Sequence, residues 1–126
     1  METFAAVLAL IVLGFLAVLQ LLLAFGAPLG RFAWGGQHRV LPSRLRAGSI
    51  VSIILYAVFA TVIADRAGLI DAMPDAVSGM GTWILAAYFL LGVAMNGVSR
   101  SIPERATMAP VSAVLATACV VVALGP

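Results

Sequence analysis

Charge is the scarcest property of this chain. Only 10% of its 126 residues are Asp, Glu, Lys or Arg, whereas 63% are hydrophobic. Four stretches contain no charged residue at all, and they cover residues 3–30, 47–64, 76–99 and 106–126. A soluble domain of this length does not tolerate so apolar a composition. The composition therefore predicts a membrane protein.

Each uncharged stretch is long enough for one transmembrane helix. A hydrocarbon core of roughly 30 Å requires about 20 apolar residues in helical form. We predict helices near residues 4–25, 45–63, 82–98 and 107–124, within a single transmembrane domain that spans residues 1–126. The predicted fold class is all-α, a polytopic membrane protein built as a four-transmembrane-helix bundle.

Lysine is absent, and the arginines are unevenly distributed. Six of the seven lie in or beside the first and third connections between the predicted helices. The second connection holds only Arg66, together with Asp65, Asp71 and Asp75. By the positive-inside rule, this imbalance predicts that the first and third connections are cytoplasmic and that both termini lie outside the cytoplasm.

Residue types that carry catalysis or bind metals are also scarce. Cys119 is the only cysteine and His38 the only histidine, and Glu104 is the one acid predicted on the same side as His38. A metal site needs more ligands than these, and neither a nucleophile elbow nor a phosphate-binding glycine pattern is present. We predict that the protein is not an enzyme and that it uses no metal or other cofactor.

The first connection is short and rich in glycine, arginine and aromatic residues. Aromatic rings suit the headgroup region of a membrane, where arginines meet lipid phosphates. Gly35 and Gly36 permit a tight turn with positive φ angles, after which Gln37 and His38 would fold back over the mouth of the bundle. Two interpretations stay open: a binding site at the mouth, or an interfacial turn with a solvated histidine.

Polar side chains are few inside the predicted spans. Gln20 and Asn96 lie near the same end of the first and third helices, and we predict a hydrogen bond between them that sets the helix register. The alternative is that they line a pathway for a small solute together with Tyr56, Tyr88 and Thr61, although the depths of these five residues differ.

Residues 101–104, Ser-Ile-Pro-Glu, form the pattern of a capping box. Ser101 would cap the fourth helix, Pro103 suits its first turn, and Glu104 would bond back to the amide of the cap residue. This interpretation gives Glu104 a structural role.

Small residues mark one face of the fourth helix. Steps of four, three and four residues separate Ser112, Ala116, Cys119 and Ala123, so the four share a face. Small side chains allow helices to approach closely in a membrane. We expect this face to pack against another helix, either of the same chain or of a second copy.

Two segments of the chain resemble a group of small, uncharacterised bacterial integral membrane proteins with four predicted helices. The first comprises residues 26–28, 32–38 and 40–42, which read Gly-Ala-Pro, Phe-Ala-Trp-Gly-Gly-Gln-His and Val-Leu-Pro. The second comprises residues 95–101, followed by residues 104–105 and 110–111. The resemblance implies a protein of the bacterial inner membrane, and it carries over an architecture without a mechanism.

These observations predict a binding or accessory protein in which the first and third connections converge into a cytoplasmic cap. The expected ligand is a membrane lipid headgroup or a small anion. Seven residues would supply anion contacts, a flat apolar surface and hydrogen bonds: Arg31, Trp34, Gln37, His38, Arg39, Asn96 and Arg100.

The alternative function is a homo-oligomeric transporter or channel for a small solute. Four helices make a thin bundle, and a homo-oligomer is left open in either case. Nucleic acid is not an expected partner, because a net charge of +2 spread over separate loops forms no contiguous basic face.

Overall fold

The structure is a computed structural model that describes residues 1–125. It contains four long α-helices: α1 (Glu2–Ala24), α2 (Ser43–Arg66), α3 (Asp75–Gly97) and α4 (Ile102–Leu124). Each helix is long and apolar enough to cross a membrane, and the described residues form no strand. The predicted class, an all-α four-helix bundle in a multi-pass membrane protein, is confirmed.

The four helices form a ring. Each helix packs against its neighbour in the chain, and α4 returns to pack against α1. The pair α3 and α4 is the most extensive of these contacts, whereas α2 and α3 touch least. Helix packing is therefore most extensive between α3 and α4 and least extensive between α2 and α3.

The core lies mainly between α1, α3 and α4. Small residues of α1, including Ala6 and Ala9, are buried together with Leu85 and Phe89 of α3 and Leu115 of α4. Because lipid tails are as apolar as these side chains, close van der Waals packing stabilises such helix contacts. Large apolar side chains also cover the outside of the bundle, as a lipid environment requires.

The small-residue face of α4 packs within the chain. Ala116, Cys119 and Ala123 are buried, and the Ser112 hydroxyl lies so close to α3 that a Cβ on Gly92 would be 3.2 Å from its oxygen. The predicted close packing of this face is confirmed, with helices of the same chain as its partners.

Two helices begin earlier than predicted. α3 begins at Asp75 rather than near residue 82, and α4 begins at Ile102 rather than near residue 107. Both starts follow local signals, since Pro74 occupies the N-cap of α3 and Ser101 caps α4. Absence of charge identifies the membrane-crossing part of a helix, whereas capping chemistry sets where the helix begins.

The capping box is half formed. The Ser101 hydroxyl accepts a hydrogen bond from the Glu104 amide at 3.5 Å, as predicted. The Glu104 carboxylate does not return to the Ser101 amide, which instead donates to the hydroxyl of Ser99 at 3.2 Å. That half of the prediction is wrong, and Glu104 is free to bond elsewhere.

The two ends of the bundle differ in charge. Residues 25–46 and 98–105 lie at the arginine-rich end, whereas residues 65–75, together with residues 1 and 125, lie at the aspartate-rich end. At the aspartate-rich end, the Arg66 guanidinium donates to the carbonyls of Ala123 and Gly125 at 3.1 and 2.6 Å. These bonds join the end of α2 to the end of α4.

Candidate functional site

The first connection folds back over the arginine-rich end through a tight turn. Trp34, Gly35 and Gly36 have φ angles of 55°, 79° and 71°, three consecutive residues in the left-handed region. Gly36 also faces Ser101 so closely that a Cβ at this position would overlap the serine side chain. The predicted tight turn with positive φ angles at the two glycines is confirmed.

Two hydrogen bonds tie this loop to the start of α4. The Gly35 amide donates to the Glu104 carboxylate at 3.2 Å, and the Ser101 hydroxyl donates to the Arg31 carbonyl at 2.6 Å. The first and third connections therefore converge, as the sequence predicted. Glu104 acts here as an anchor for the loop.

Trp34 fastens the same loop to α2. Its indole N–H donates to the hydroxyl of Ser49, a fully buried residue, at 3.3 Å. The ring lies against Gly48, where a Cβ would be only 2.8 Å from the indole Cη2. The indole is thus held in one place by a hydrogen bond and by a glycine that leaves room for it.

The far part of the loop closes on itself at Gly30. The Gly30 amide donates to the Arg39 carbonyl at 2.9 Å, and a Cβ on Gly30 would overlap the carbonyl oxygen of His38. This pairing fixes the backbone of His38 and Arg39 beside the start of the loop.

A cavity of about 740 Å³ lies beneath the loop and between the four helices. This volume is within the range of roughly 300–1,000 Å³ that is typical of small-molecule sites. Its deeper wall is mainly apolar and includes Leu16, Leu19, Phe89, Val111 and Leu115, with a few polar side chains among them. Its mouth at the arginine-rich end is polar and includes Gln37, Asn96, Ser99, Arg100 and Glu104.

An aromatic cluster lies beside the cavity: Tyr56, Tyr88 and Phe89 line it, and Phe59 packs against them outside the lining. The ring of Phe59 on α2 lies 5.4 Å from Tyr88 and 5.9 Å from Phe89, centroid to centroid. Edge-to-face and tilted contacts at these distances stabilise aromatic pairs. The cluster joins α2 and α3 about halfway along the bundle.

The cavity opens sideways between α2 and α3. Towards the aspartate-rich end these helices touch, because a Cβ on Gly81 would be only 3.0 Å from Val62. Towards the arginine-rich end they separate: Leu91 and Met95 share the face of α3 that carries Tyr88, and both line the cavity. They are nevertheless 62% and 66% exposed. The opening therefore faces the space that lipid tails occupy.

The polar residues of the spans line this cavity separately. The Gln20 amide donates to the Tyr56 hydroxyl at 3.4 Å. The Asn96 amide donates to the Gly92 carbonyl at 2.8 Å and to the Ser112 hydroxyl at 3.3 Å. The predicted bond between Gln20 and Asn96 is therefore wrong, because each residue bonds to a closer partner.

Two charged side chains line the cavity, Arg100 and Glu104. Arg100 is exposed, whereas Glu104 is 6% exposed. Among residues 1–125, the only hydrogen bond to the Glu104 carboxylate comes from Gly35, and that bond uses Oε2. Arg105 points elsewhere, since its guanidinium donates to the Ser99 carbonyl at 3.2 Å.

The structure gathers most of the candidate residues around one space. Four members of the predicted loop site line the cavity, namely Trp34, Gln37, Asn96 and Arg100, and the intramembrane residues Gln20, Tyr56 and Tyr88 line it too. Arg31, His38 and Arg39 belong to the same loop but are not part of the lining. Thr61 is also outside it, and its hydroxyl bonds to the Ala57 carbonyl at 2.8 Å.

Sequence reasoning missed Glu104 and Ser52 as cavity residues. The capping-box pattern predicts a local hydrogen bond for the Glu104 side chain and gives no sign of its bond to the Gly35 amide. Ser52 had a visible signal, because Ser49, Ser52 and Tyr56 are spaced by three and four residues and so share one face of α2. A polar face on an otherwise apolar helix indicates a cavity or a polar neighbour.

Within residues 1–125, no group of three or more His, Cys, Asp or Glu side chains is placed to hold a metal ion. Comparison of the chain with protein-family models, with curated proteins and with solved structures finds no match.

Proposed function

We propose that this protein binds one membrane phospholipid in the cavity at the arginine-rich end. The lipid enters sideways between α2 and α3, its acyl chains lie against the apolar wall, and its phosphate stays at the polar mouth. The protein then acts as a binding or accessory bundle and not as an enzyme.

The observation that carries this proposal is the polarity gradient of a cavity that opens to lipid. The deep wall is formed mainly by apolar residues such as Leu19 and Leu115 and carries no charge, whereas the mouth holds Arg100 and Glu104. A phospholipid is likewise polar at the membrane surface, where its headgroup lies, and apolar towards the membrane centre, where its acyl chains lie. A soluble solute would not need the exposed rim of Leu91 and Met95, which only a lipid tail can cover favourably.

Headgroup recognition rests on three side chains. The Arg100 guanidinium presents a fork of donors that suits phosphate oxygens. Gln37 adds amide donors, and the fixed indole of Trp34 supplies an amphipathic surface at the level where tryptophans favour the membrane interface. Arg31 and Arg39 are exposed on the same loop and would contact neighbouring headgroups.

The arginine distribution supports a cytoplasmic position for this end, with both termini outside the cytoplasm. The resemblance to small bacterial membrane proteins supports the bacterial inner membrane as the location. In that orientation the cavity takes its lipid from the cytoplasmic leaflet.

Transport of a small solute is the second candidate function. One observation favours it: the Oε1 atom of Gln20 is buried beside the cavity and has no hydrogen-bond partner among the described residues. A transport pathway that opened beside Gln20 would give that acceptor a polar partner. Uptake into proteoliposomes that depends on Gln20 would favour transport over lipid binding.

Native mass spectrometry of the protein extracted with its own lipids tests the proposal. We expect one retained phospholipid per chain, and we expect Arg100→Gln to lower the retained fraction strongly. Arg44→Gln is the matched control, because Arg44 is exposed at the same end but does not line the cavity. Retention that falls equally in both variants, or that is absent from the unmodified protein, would contradict the proposal.

A further inference from the structure

Building on the proposed lipid site, we infer that its occupant is a phospholipid whose headgroup carries a free ammonium group, as an ethanolamine phospholipid does. The assignment comes from the pairing of a buried carboxylate, Glu104, with the guanidinium of Arg100 at the mouth of one cavity.

Glu104 lacks a cationic partner in the part of the chain that the structure describes. It is 6% exposed, and its one hydrogen bond, from the Gly35 amide, engages Oε2. The nearest arginine in sequence, Arg105, bonds to the Ser99 carbonyl instead. Oε1 has no partner among residues 1–125 and is not fully buried, so a ligand in the cavity can reach it. An ammonium group there would supply a cation and hydrogen-bond donors.

The charge balance of the lining fits a zwitterionic headgroup, and the free oxygen of Glu104 favours one whose cation carries N–H donors. Arg100 and Glu104 are the charged residues of the lining, so its formal net charge is zero. A zwitterionic headgroup complements that pair, with its phosphate at Arg100 and its ammonium at Glu104. A glycerol headgroup supplies the phosphate but leaves the carboxylate without a cation.

Geometry explains why Glu104 faces the cavity at all. The tight turn at Gly35 and Gly36 brings a backbone amide to the carboxylate, and this contact directs the side chain under the loop and away from the Ser101 amide. The same bond leaves one carboxylate oxygen for a ligand.

Tryptophan quenching by brominated phospholipids tests the inference. The chain has two tryptophans. Trp34 lines the cavity, whereas Trp83 lies in the first half of α3, nearer the aspartate-rich end, and does not line it. In a Trp83→Phe background, Trp34 alone reports which lipid occupies the cavity. The protein is reconstituted in phosphatidylcholine vesicles that contain equal small fractions of brominated phosphatidylethanolamine or brominated phosphatidylglycerol. A Trp34→Phe protein, which retains Trp83, measures quenching by the general lipid shell.

We expect the ethanolamine lipid to quench Trp34 at a concentration roughly tenfold lower than the glycerol lipid does. A tenfold difference in affinity corresponds to the free energy of about one hydrogen bond to a charged group. Glu104→Gln keeps an oxygen for the Gly35 amide but removes the charge, so it should abolish this preference. Arg100→Gln should weaken the binding of both lipids, and the ethanolamine lipid should still bind more tightly than the glycerol lipid.

The outcomes separate this inference from the proposal on which it rests. Equal quenching of Trp34 by the two lipids, above the level of the general lipid shell, overturns the ammonium assignment and leaves lipid binding intact. Quenching no stronger than that of the shell overturns both. A preference that survives in a folded Glu104→Gln protein overturns the role of Glu104.

Discussion

The amide of Gly35 donates a hydrogen bond to the carboxylate of Glu104 across 3.2 Å, which joins the first connection to the start of α4. The two residues are 69 positions apart in the chain. This contact closes the roof of the cavity and orients the one acidic side chain in its lining. The loop at the arginine-rich end is therefore bonded to α4 as well as to α2.

Gly36→Ala should disrupt the loop. A left-handed φ angle costs a residue with a Cβ about 1–2 kcal/mol, and the new methyl group would also overlap Ser101. We expect a lower unfolding temperature in detergent and faster proteolysis within residues 26–42. Gly14→Ala is the control, because a Cβ at Gly14 meets nothing within 4 Å. Equal stability and equal protease resistance of the two variants would refute the proposed turn.

Gly48→Ala should displace Trp34 without changing the loop sequence. The added methyl group would lie 2.8 Å from the indole Cη2, so the ring must shift from the position in which it donates to Ser49. In a Trp83→Phe background we expect a shift of the fluorescence emission maximum. An unchanged emission spectrum would show that the indole does not rest on Gly48.

Leu91→Trp should close the lateral opening. Leu91 lines the cavity at its exposed rim, and an indole there occupies the gap between α2 and α3. We expect the number of phospholipids retained per chain in native mass spectrometry to fall. Leu90→Trp is the matched control, because Leu90 is 65% exposed but does not line the cavity. Loss of lipid in neither variant, or in both, would argue against entry at this place.

Cys119 should resist thiol reagents while the bundle is folded. It is fully buried on the face of α4 that packs within the chain. Labelling by a maleimide should follow the unfolding transition and serve as a measure of stability. Fast labelling of the folded protein would mean that α4 does not pack as described.

Much of the fold is predictable from the distribution of charge. The uncharged stretches located all four helices, since a bilayer excludes charged side chains from a span. Hydropathy alone placed the starts of α3 and α4 too late, because Pro74 and Ser101 occupy the N-caps; the capping pattern at Ser101 did mark the start of α4 correctly.

The candidate site was predictable in part. The glycine pair and the aromatic residues of the first connection indicated a turn over the bundle mouth, and the structure has this turn at Gly35 and Gly36. The partners of Gln20 and Asn96 could not be derived, because hydrogen-bond pairing depends on helix rotation, and uniformly apolar helices reveal little of their rotation in sequence. The separation of α2 from α3 has no local sequence signal either.

Photo-crosslinking tests the central claim most directly. The protein is reconstituted with a phospholipid that carries a diazirine near the end of one acyl chain, and the labelled residues are mapped by mass spectrometry. Lipid binding in the cavity predicts labelling of the inward residues Leu16, Leu19 and Leu115, and its loss in Leu91→Trp. Labelling confined to outward residues such as Phe15 and Leu90 would contradict the account.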